Sequence, residues 1–250
     1  MVDAGLSKRE TFARLQAIGV APESLSAIIV THEHSDHVAG LPVLARALKI
    51  PIYLSKLTAP TIDWGESKAR TGPGSVVRAN PQPERPAPQV KEFQAGAIFY
   101  VGDMRIQSFT IPHDAIDPVG FMVETEGIRV SLAMDLGYIP ENVRHHIRGS
   151  QLTVLESNHD LDMLKVGPYP WSLKQRVMSR KGHLSNDATA DYILEDMALD
   201  AHTLVLGHLS EQNNHPEIVR LVANQALQRR GVNTRLVVAE PRKQGELFEY

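Results

Sequence analysis

Seven consecutive residues, Thr31-His32-Glu33-His34-Ser35-Asp36-His37, place three imidazoles and two carboxylates at the end of the apolar run Ala27-Ile28-Ile29-Val30. Neutral imidazole nitrogens and carboxylate oxygens hold borderline divalent cations such as zinc, and the acids widen the range to manganese or iron. A strand end fixes the backbone, so alternate residues His32 and His34 project to one point. Asp36 and His37, beyond the bend, reach a second point nearby. A solvated His-rich loop is the plainer reading of one or two histidines. H-x-H-x-D-H directly after an apolar strand favours a metal site.

Three more candidates stand at the ends of apolar runs. His113 follows Phe109-Thr110-Ile111-Pro112, Asp135 follows Val130-Ser131-Leu132-Ala133-Met134, and His208 follows Leu204-Val205-Leu206-Gly207. One such strand end is unexceptional. Three of them beside H-x-H-x-D-H suggest several strands delivering ligands to one place.

The elements that must position these residues follow from periodicity and punctuation. Ser7 caps a helix to about residue 18, stopped by Gly19, and a helix over 38–49 follows the metal loop. Strands are expected at 27–30, 52–55, 152–155, 203–206 and 235–239. Two hairpins, 97–101 with 104–111 and 120–124 with 128–134, turn at Gly102-Asp103 and Glu126-Gly127. Helices are expected at 140–148, 171–180, 186–197 and 216–229, the last two capped by Ser185 and Asn214. Between them, 71–90 reads as a Pro-rich loop with a helix at 59–70 before it. Strand pairs alternating with helices give an α/β chain whose mixed sheets are covered by helices, a single domain over 1–250.

Composition narrows the function. With 42% hydrophobic and 22% charged residues the chain is an ordinary globular protein. No apolar run approaches the ~20 residues that span a membrane, and no basic-plus-apolar leader is visible, so a cytoplasmic location is expected. Absence of cysteine excludes disulfides, thiolate nucleophiles and Cys-based zinc sites, leaving His and acids to hold any metal. A net charge of −3 argues against indiscriminate coating of nucleic acid.

The ordered series H-x-H-x-D-H, His, Asp, His resembles that of the metallo-β-lactamase-fold hydrolases. Within them the chain most resembles the YycJ/WalJ-like group, through Asp3-Ala4-Gly5-Leu6-Ser7, Glu156-Ser157-Asn158-His159-Asp160, Gly182-His183-Leu184-Ser185-Asn186 and Leu206 to Asn214. The resemblance implies an αββα sandwich with a dinuclear site. His32, His34 and His113 would hold one ion; Asp36, His37 and His208 would hold the other, with Asp135 bridging. That group is similar to DNA exonucleases acting from the 5′ end and, more distantly, to ribonuclease Z. Relatives begin with further strands ahead of the Asp3-Ala4-Gly5 segment. Their absence here points to an upstream start or an exposed sheet edge.

Two divalent ions roughly 3.5–4 Å apart share a water and lower its pKa, so a metal-bridged hydroxide is the expected nucleophile on a phosphodiester. Asp36, His183 and Glu156 form the expected catalytic group, with His183 as proton donor oriented by Glu156, an arrangement that resembles ribonuclease Z. His159 is a competing donor, and Asp3 is expected to orient a ligand histidine. Lys165, Lys174, Arg176, Arg180 and Lys181, with Tyr169 and Trp171, form a basic aromatic strip suited to a nucleic-acid strand. A solvated helix face with Trp171 in the core is the alternative for that stretch. His145, His146, His202 and His215 read as surface residues. The expected activity is a zinc- or manganese-dependent DNA exonuclease; a glyoxalase II-like thioesterase and a non-catalytic metal-bound regulator are the alternatives.

Overall fold

A computed structural model describes residues 1–65 and 87–250. Two compact units make up the chain, Met1–Phe93 and Gln94–Tyr250. Residues 71–86 of the Pro-rich stretch and the last five residues of the helix expected at 59–70 lie outside the described residues; the described part of that stretch is not the expected helix, since Ala59–Thr61 is a single 3-10 turn and 62–65 are not helical. No helix among the described residues is long and apolar enough to cross a membrane.

In the first unit, helix α1 (Lys8–Ala17) starts where the Ser7 hydroxyl accepts from Glu10 N at 3.3 Å. Strands β1 (Ile28–Ile29), β2 (Ile52–Ser55) and β3 (Val90–Phe93) form a sheet ordered β1-β2-β3. Both pairings are parallel, so among the described residues this sheet is parallel throughout rather than mixed as expected. The helix expected at 38–49 is interrupted. A four-residue helix α2 (Ser35–Val38) gives way to α3 (Leu41–Leu48), with Gly40 between them and Pro42 in the first turn of α3. Leu41 and Leu44 of α3 pack with Ile28, Val30, Ile52 and Leu54 to form this unit's core.

The second unit holds a seven-stranded sheet among the described residues. Its strands are β4 (Ile98–Val101), β5 (Met104–Thr110), β6 (Val119–Thr125), β7 (Ile128–Ala133), β8 (Leu152–Glu156), β9 (Thr203–Gly207) and β10 (Arg235–Val238), ordered β10-β9-β8-β7-β6-β5-β4. The hairpin half, β4 to β7, is antiparallel; β7-β8-β9-β10 is parallel. Five helices fill the connections: α4 (Glu141–Ile147), α5 (Leu161–Val166), α6 (Trp171–Val177), α7 (Asn186–Glu195) and α8 (Pro216–Arg230). The parallel half needs such crossovers, and their apolar faces cover it. Leu155, Leu204 and Leu206 pack with Ile193 of α7 and Val219, Ala223 and Leu227 of α8. Ser185 caps α7 by accepting from Ala188 N at 3.1 Å. His215, not Asn214, caps α8; its Nδ1 accepts from Glu217 N.

Parallel strands point their C-terminal ends the same way, which puts Asp135 beyond β7, Glu156 at the end of β8 and His208 beyond β9 along one edge of the sheet.

Candidate metal centre

The first unit presents the H-x-H-x-D-H segment on a backbone fixed by the chain's opening residues. Ala4 N donates to His37 O at 2.7 Å and Gly40 N to Ala4 O at 2.8 Å. A Cβ on Gly5 would lie 1.5 Å from Asp36 O, so this close approach requires glycine. The rings of His32 and His34 meet edge-on with centroids 4.6 Å apart, and those of His32 and His37 lie at 4.1 Å. His32 is buried and the Asp36 side chain is 64% exposed.

Asp3 organises this segment. Its Oδ1 accepts from Thr31 N at 2.8 Å; its Oδ2 accepts from Thr31 Oγ1 at 2.9 Å and from His37 Nδ1 at 2.8 Å. A carboxylate only accepts, so His37 carries its proton on Nδ1 and keeps the Nε2 lone pair for a cation. The structure thus places Asp3 against His37, the partner the sequence left unspecified. Thr31 was missed as a participant. Its hydroxyl lies 3.0 Å from His32 Nδ1 and 3.3 Å from His37 Nδ1.

In the second unit, Asp135, Glu156, His183 and His208 each bring a donor atom within 4.8 Å of the others. Asp135 Oδ1 lies 3.3 Å from His208 Nδ1, 3.6 Å from His183 Nδ1 and 3.9 Å from His113 Nε2. His113 points Nδ1 at Gly182 O, 3.2 Å away, so that nitrogen donates and Nε2 keeps its lone pair, the atom that could meet a cation. Burial holds the His113 pKa below its ordinary value, against the raising pull of Asp135, which keeps the ring neutral.

Glu156 is fully buried and receives four hydrogen bonds. Oε1 accepts from His183 Nδ1 at 2.8 Å and His208 Nδ1 at 2.7 Å; Oε2 accepts from Leu136 N at 2.8 Å and Leu184 N at 3.3 Å. Burial alone would raise its pKa, but the bonds from His183 and His208 outweigh that and lower it. For His183, burial lowers the pKa, but the Glu156 hydrogen bond and charge prevail and raise it. The sequence pairs Glu156 with His183 alone; the structure adds His208, a contact that no local spacing could reveal.

His159 is a poorer proton donor. It is 1% exposed, and burial lowers its pKa to about 4, so near neutrality the ring is neutral and lacks the second, acidic proton of an imidazolium. Among the histidines expected to be idle on the surface, His146 stacks on Phe109 with centroids 4.7 Å apart, His202 is exposed and His215 caps α8.

The basic stretch divides on inspection of its partners. Lys174 is buried, and its Nζ donates to Lys165 O at 2.7 Å, which ties α6 to the end of α5. Lys165 pairs with Asp162 at 3.0 Å and Arg176 pairs with Asp114. Arg180 lies over the Tyr138 ring at 4.1 Å and is exposed, as is Lys181. Trp171 is 65% exposed, not in the core.

Three residues of the two clusters, Asp3, Asp135 and His208, have left-handed backbones at φ 54°, 59° and 58°. Non-glycine residues rarely adopt this conformation, and it concentrates at functional sites. Imidazoles with one nitrogen fixed by a carboxylate or carbonyl, beside carboxylates and without thiolate, suit a borderline to hard divalent cation.

Comparison with known proteins agrees with this chemistry. Residues 1–209 match the family model described as beta-lactamase superfamily domain. The chain is 34% identical to exodeoxyribonuclease YycJ of Bacillus anthracis, over 92% of its own length and 81% of the relative's. It is 33% identical to exodeoxyribonuclease WalJ of Streptococcus pneumoniae, over 91% and 80%. Among solved structures, the metallo-beta-lactamase fold protein YhfI from Bacillus subtilis superimposes with a TM-score of 0.66 at 18% identity, over 96% of this chain and 83% of that one.

Proposed function

Because the chain belongs to the beta-lactamase superfamily and is a metal-dependent hydrolase, we propose that it hydrolyses phosphodiesters as a DNA exonuclease. The observation that carries this reading is the buried Glu156 carboxylate shared by His183 and His208 beside Asp135. Similarity to two exodeoxyribonucleases over nine-tenths of the chain supports the substrate.

In this reading His32, His34 and His113 would hold one divalent ion and Asp36, His37 and His208 a second, with Asp135 available to both. When bound, such ions would supply activated water at neutral pH and neutralise phosphodiester charge. The chain's own residues do the rest. Asp3 and Gly182 O fix the rings of His37 and His113 with Nε2 available. Glu156 holds the Nδ1 proton of His183, which leaves Nε2 as the atom that carries and releases a proton to the leaving alkoxide. Breaking the P–O bond of a phosphodiester expels a strongly basic sugar alkoxide, so this proton matters more than it would for the thiolate that leaves a thioester. Exposed Trp171 offers a ring to a base, and Arg180 and Lys181 offer charge to phosphates.

The test is cleavage of duplex and single-stranded DNA and RNA labelled at the 5′ or 3′ end. Metal-stripped protein is reloaded with manganese or zinc, with Asp36→Ala as control. Progressive, metal-dependent shortening of DNA that the control abolishes is expected. A fully metallated protein that leaves every strand intact would refute the nuclease reading.

A further inference from the structure

Three sequence motifs of the second unit meet in a buried amide network behind Glu156. The segment from Glu156 to Asp160 lies between the segment carrying His183 and the segment carrying His208. On one side Asn158 N donates to Leu184 O at 2.8 Å and Asn186 N to His159 O at 2.9 Å. On the other, Ser157 N donates to Gly207 O at 3.0 Å, Ser210 N to Asn158 O at 2.8 Å and Asp160 N to Asn213 O at 2.9 Å. Asn158 Nδ2 donates to the carbonyl of His208 itself at 2.8 Å.

Across the back, the outer two segments are joined directly. Asn186 Nδ2 donates to Asn214 Oδ1 at 2.9 Å, and Asn214 Nδ2 returns a bond to Asn186 Oδ1 at 3.0 Å. Ser157 Oγ donates to Asn186 Oδ1 at 2.7 Å, and Asn214 Nδ2 also donates to Ser157 O at 2.9 Å. Ser157 is 1% exposed, Asn186 2% and Asn214 6%. Three polar side chains withdrawn from water in this way fix one arrangement, because any shift leaves a buried donor or acceptor unpaired.

We propose that Asn186, Asn214 and Ser157 are positioning residues that set the separation of His183 and His208, so that one oxygen of Glu156 receives both rings. The network lies one residue from Glu156 along the chain, and Thr189 Oγ1 further ties α7 to Glu156 O at 2.9 Å. The Asn186–Asn214 pair joins the two histidine-bearing segments directly by hydrogen bonds, in addition to the bonds that each makes with the middle one. The consequence for metal binding rests on the metal-dependent reading above; the geometric claim does not.

The test therefore begins with metal-free protein. In histidine-labelled protein, NMR of the wild type is expected to include, among its downfield Nδ1 protons, one from His183 and one from His208, both lost in Glu156→Gln while those of His37 and His113 remain. Asn186→Asp places an oxygen where Nδ2 meets Asn214 Oδ1, and at least one of the two signals is expected to disappear or shift. Ser157→Ala, a milder change that removes one bond, is expected to shift them less and to stay folded if Asn186→Asp does not. Ile193→Val, which trims the core away from the network, should leave both in place. Zinc affinity measured by chelator competition should fall about 10–100-fold in Asn186→Asp. Unchanged Nδ1 signals in folded Asn186→Asp and Ser157→Ala, or equal disturbance by Ile193→Val, overturn the proposal. A wild type with both signals but no zinc binding overturns the metal reading and leaves the positioning claim standing.

Discussion

Replacing Asp3 by asparagine tests how the H-x-H-x-D-H segment is prepared for a cation. The substitution keeps the shape, and asparagine tolerates the left-handed backbone at φ 54°, so the loss is confined to hydrogen bonding. Thr31 N and His37 Nδ1 address opposite oxygens of Asp3. An amide has only one oxygen, so one of the two donors must face an NH2 group. Thr31 N–H cannot change its character, whereas His37 can move its proton to Nε2. The amide therefore turns its oxygen to Thr31, and His37 gives up the Nε2 lone pair. One charge-assisted hydrogen bond is lost, which costs about 1.5–3 kcal/mol of stability. Removal of a carboxylate behind a ligand histidine weakens metal binding about 10–100-fold. Urea unfolding measures the first effect, zinc competition the second, and nitrogen shifts of labelled His37 report the tautomer directly. A folded Asp3→Asn protein with His37 still protonated at Nδ1 and wild-type zinc affinity would refute the reasoning.

Three further outcomes are expected. Asp135→Ala should empty or halve the metal content measured by elemental analysis, and full dinuclear occupancy would sink the shared-ligand role. His183→Ala should lower turnover with metal retained; if metal is lost instead, His183 belongs to the ligand set with the Asp135, Glu156 and His208 cluster that surrounds it. Neutralising Arg176, Arg180 and Lys181 together should weaken DNA binding and flatten its dependence on log salt by up to about one unit per phosphate contact removed. Because Arg176 already pairs with Asp114, most of that change should come from Arg180 and Lys181, and an unchanged slope would retire this surface as a DNA contact.

What the sequence made legible is tied to short-range pattern. Apolar runs that empty onto His113, Asp135 and His208 are visible because a buried strand and its terminal residue are contiguous. The two hairpins were visible for the same reason, with turns at Gly102 and Gly127, both at positive φ. Strand β3 was not, since Lys91 and Glu92 are exposed and break the apolar run. Helix α5 is six residues long, too short to show a period. The split between α2 and α3 follows from Gly40, where a Cβ would lie 1.9 Å from Leu6 O, a contact made by residues 34 positions earlier in the chain. Counting lysines and arginines suggested a strip, but charge counting cannot see that Lys174 is spent on a helix carbonyl. Sharing of Glu156 between two histidines, and the amide pair behind it, join residues separated by 27 to 52 positions and exist only once the sheet has formed.

The left-handed backbones at Asp135 and His208 have a consequence for anyone improving this protein by selection. A residue with a Cβ carries about 1–2 kcal/mol of strain in that conformation, less for Asp or Asn and none for Gly. Glycine at His208 would relieve that strain while removing an imidazole from the cluster. A library screened for heat resistance alone would therefore be drawn toward these candidate site residues and is expected to return sturdier proteins with a depleted cluster. Screening for stability and turnover together, or holding these positions constant, is the remedy.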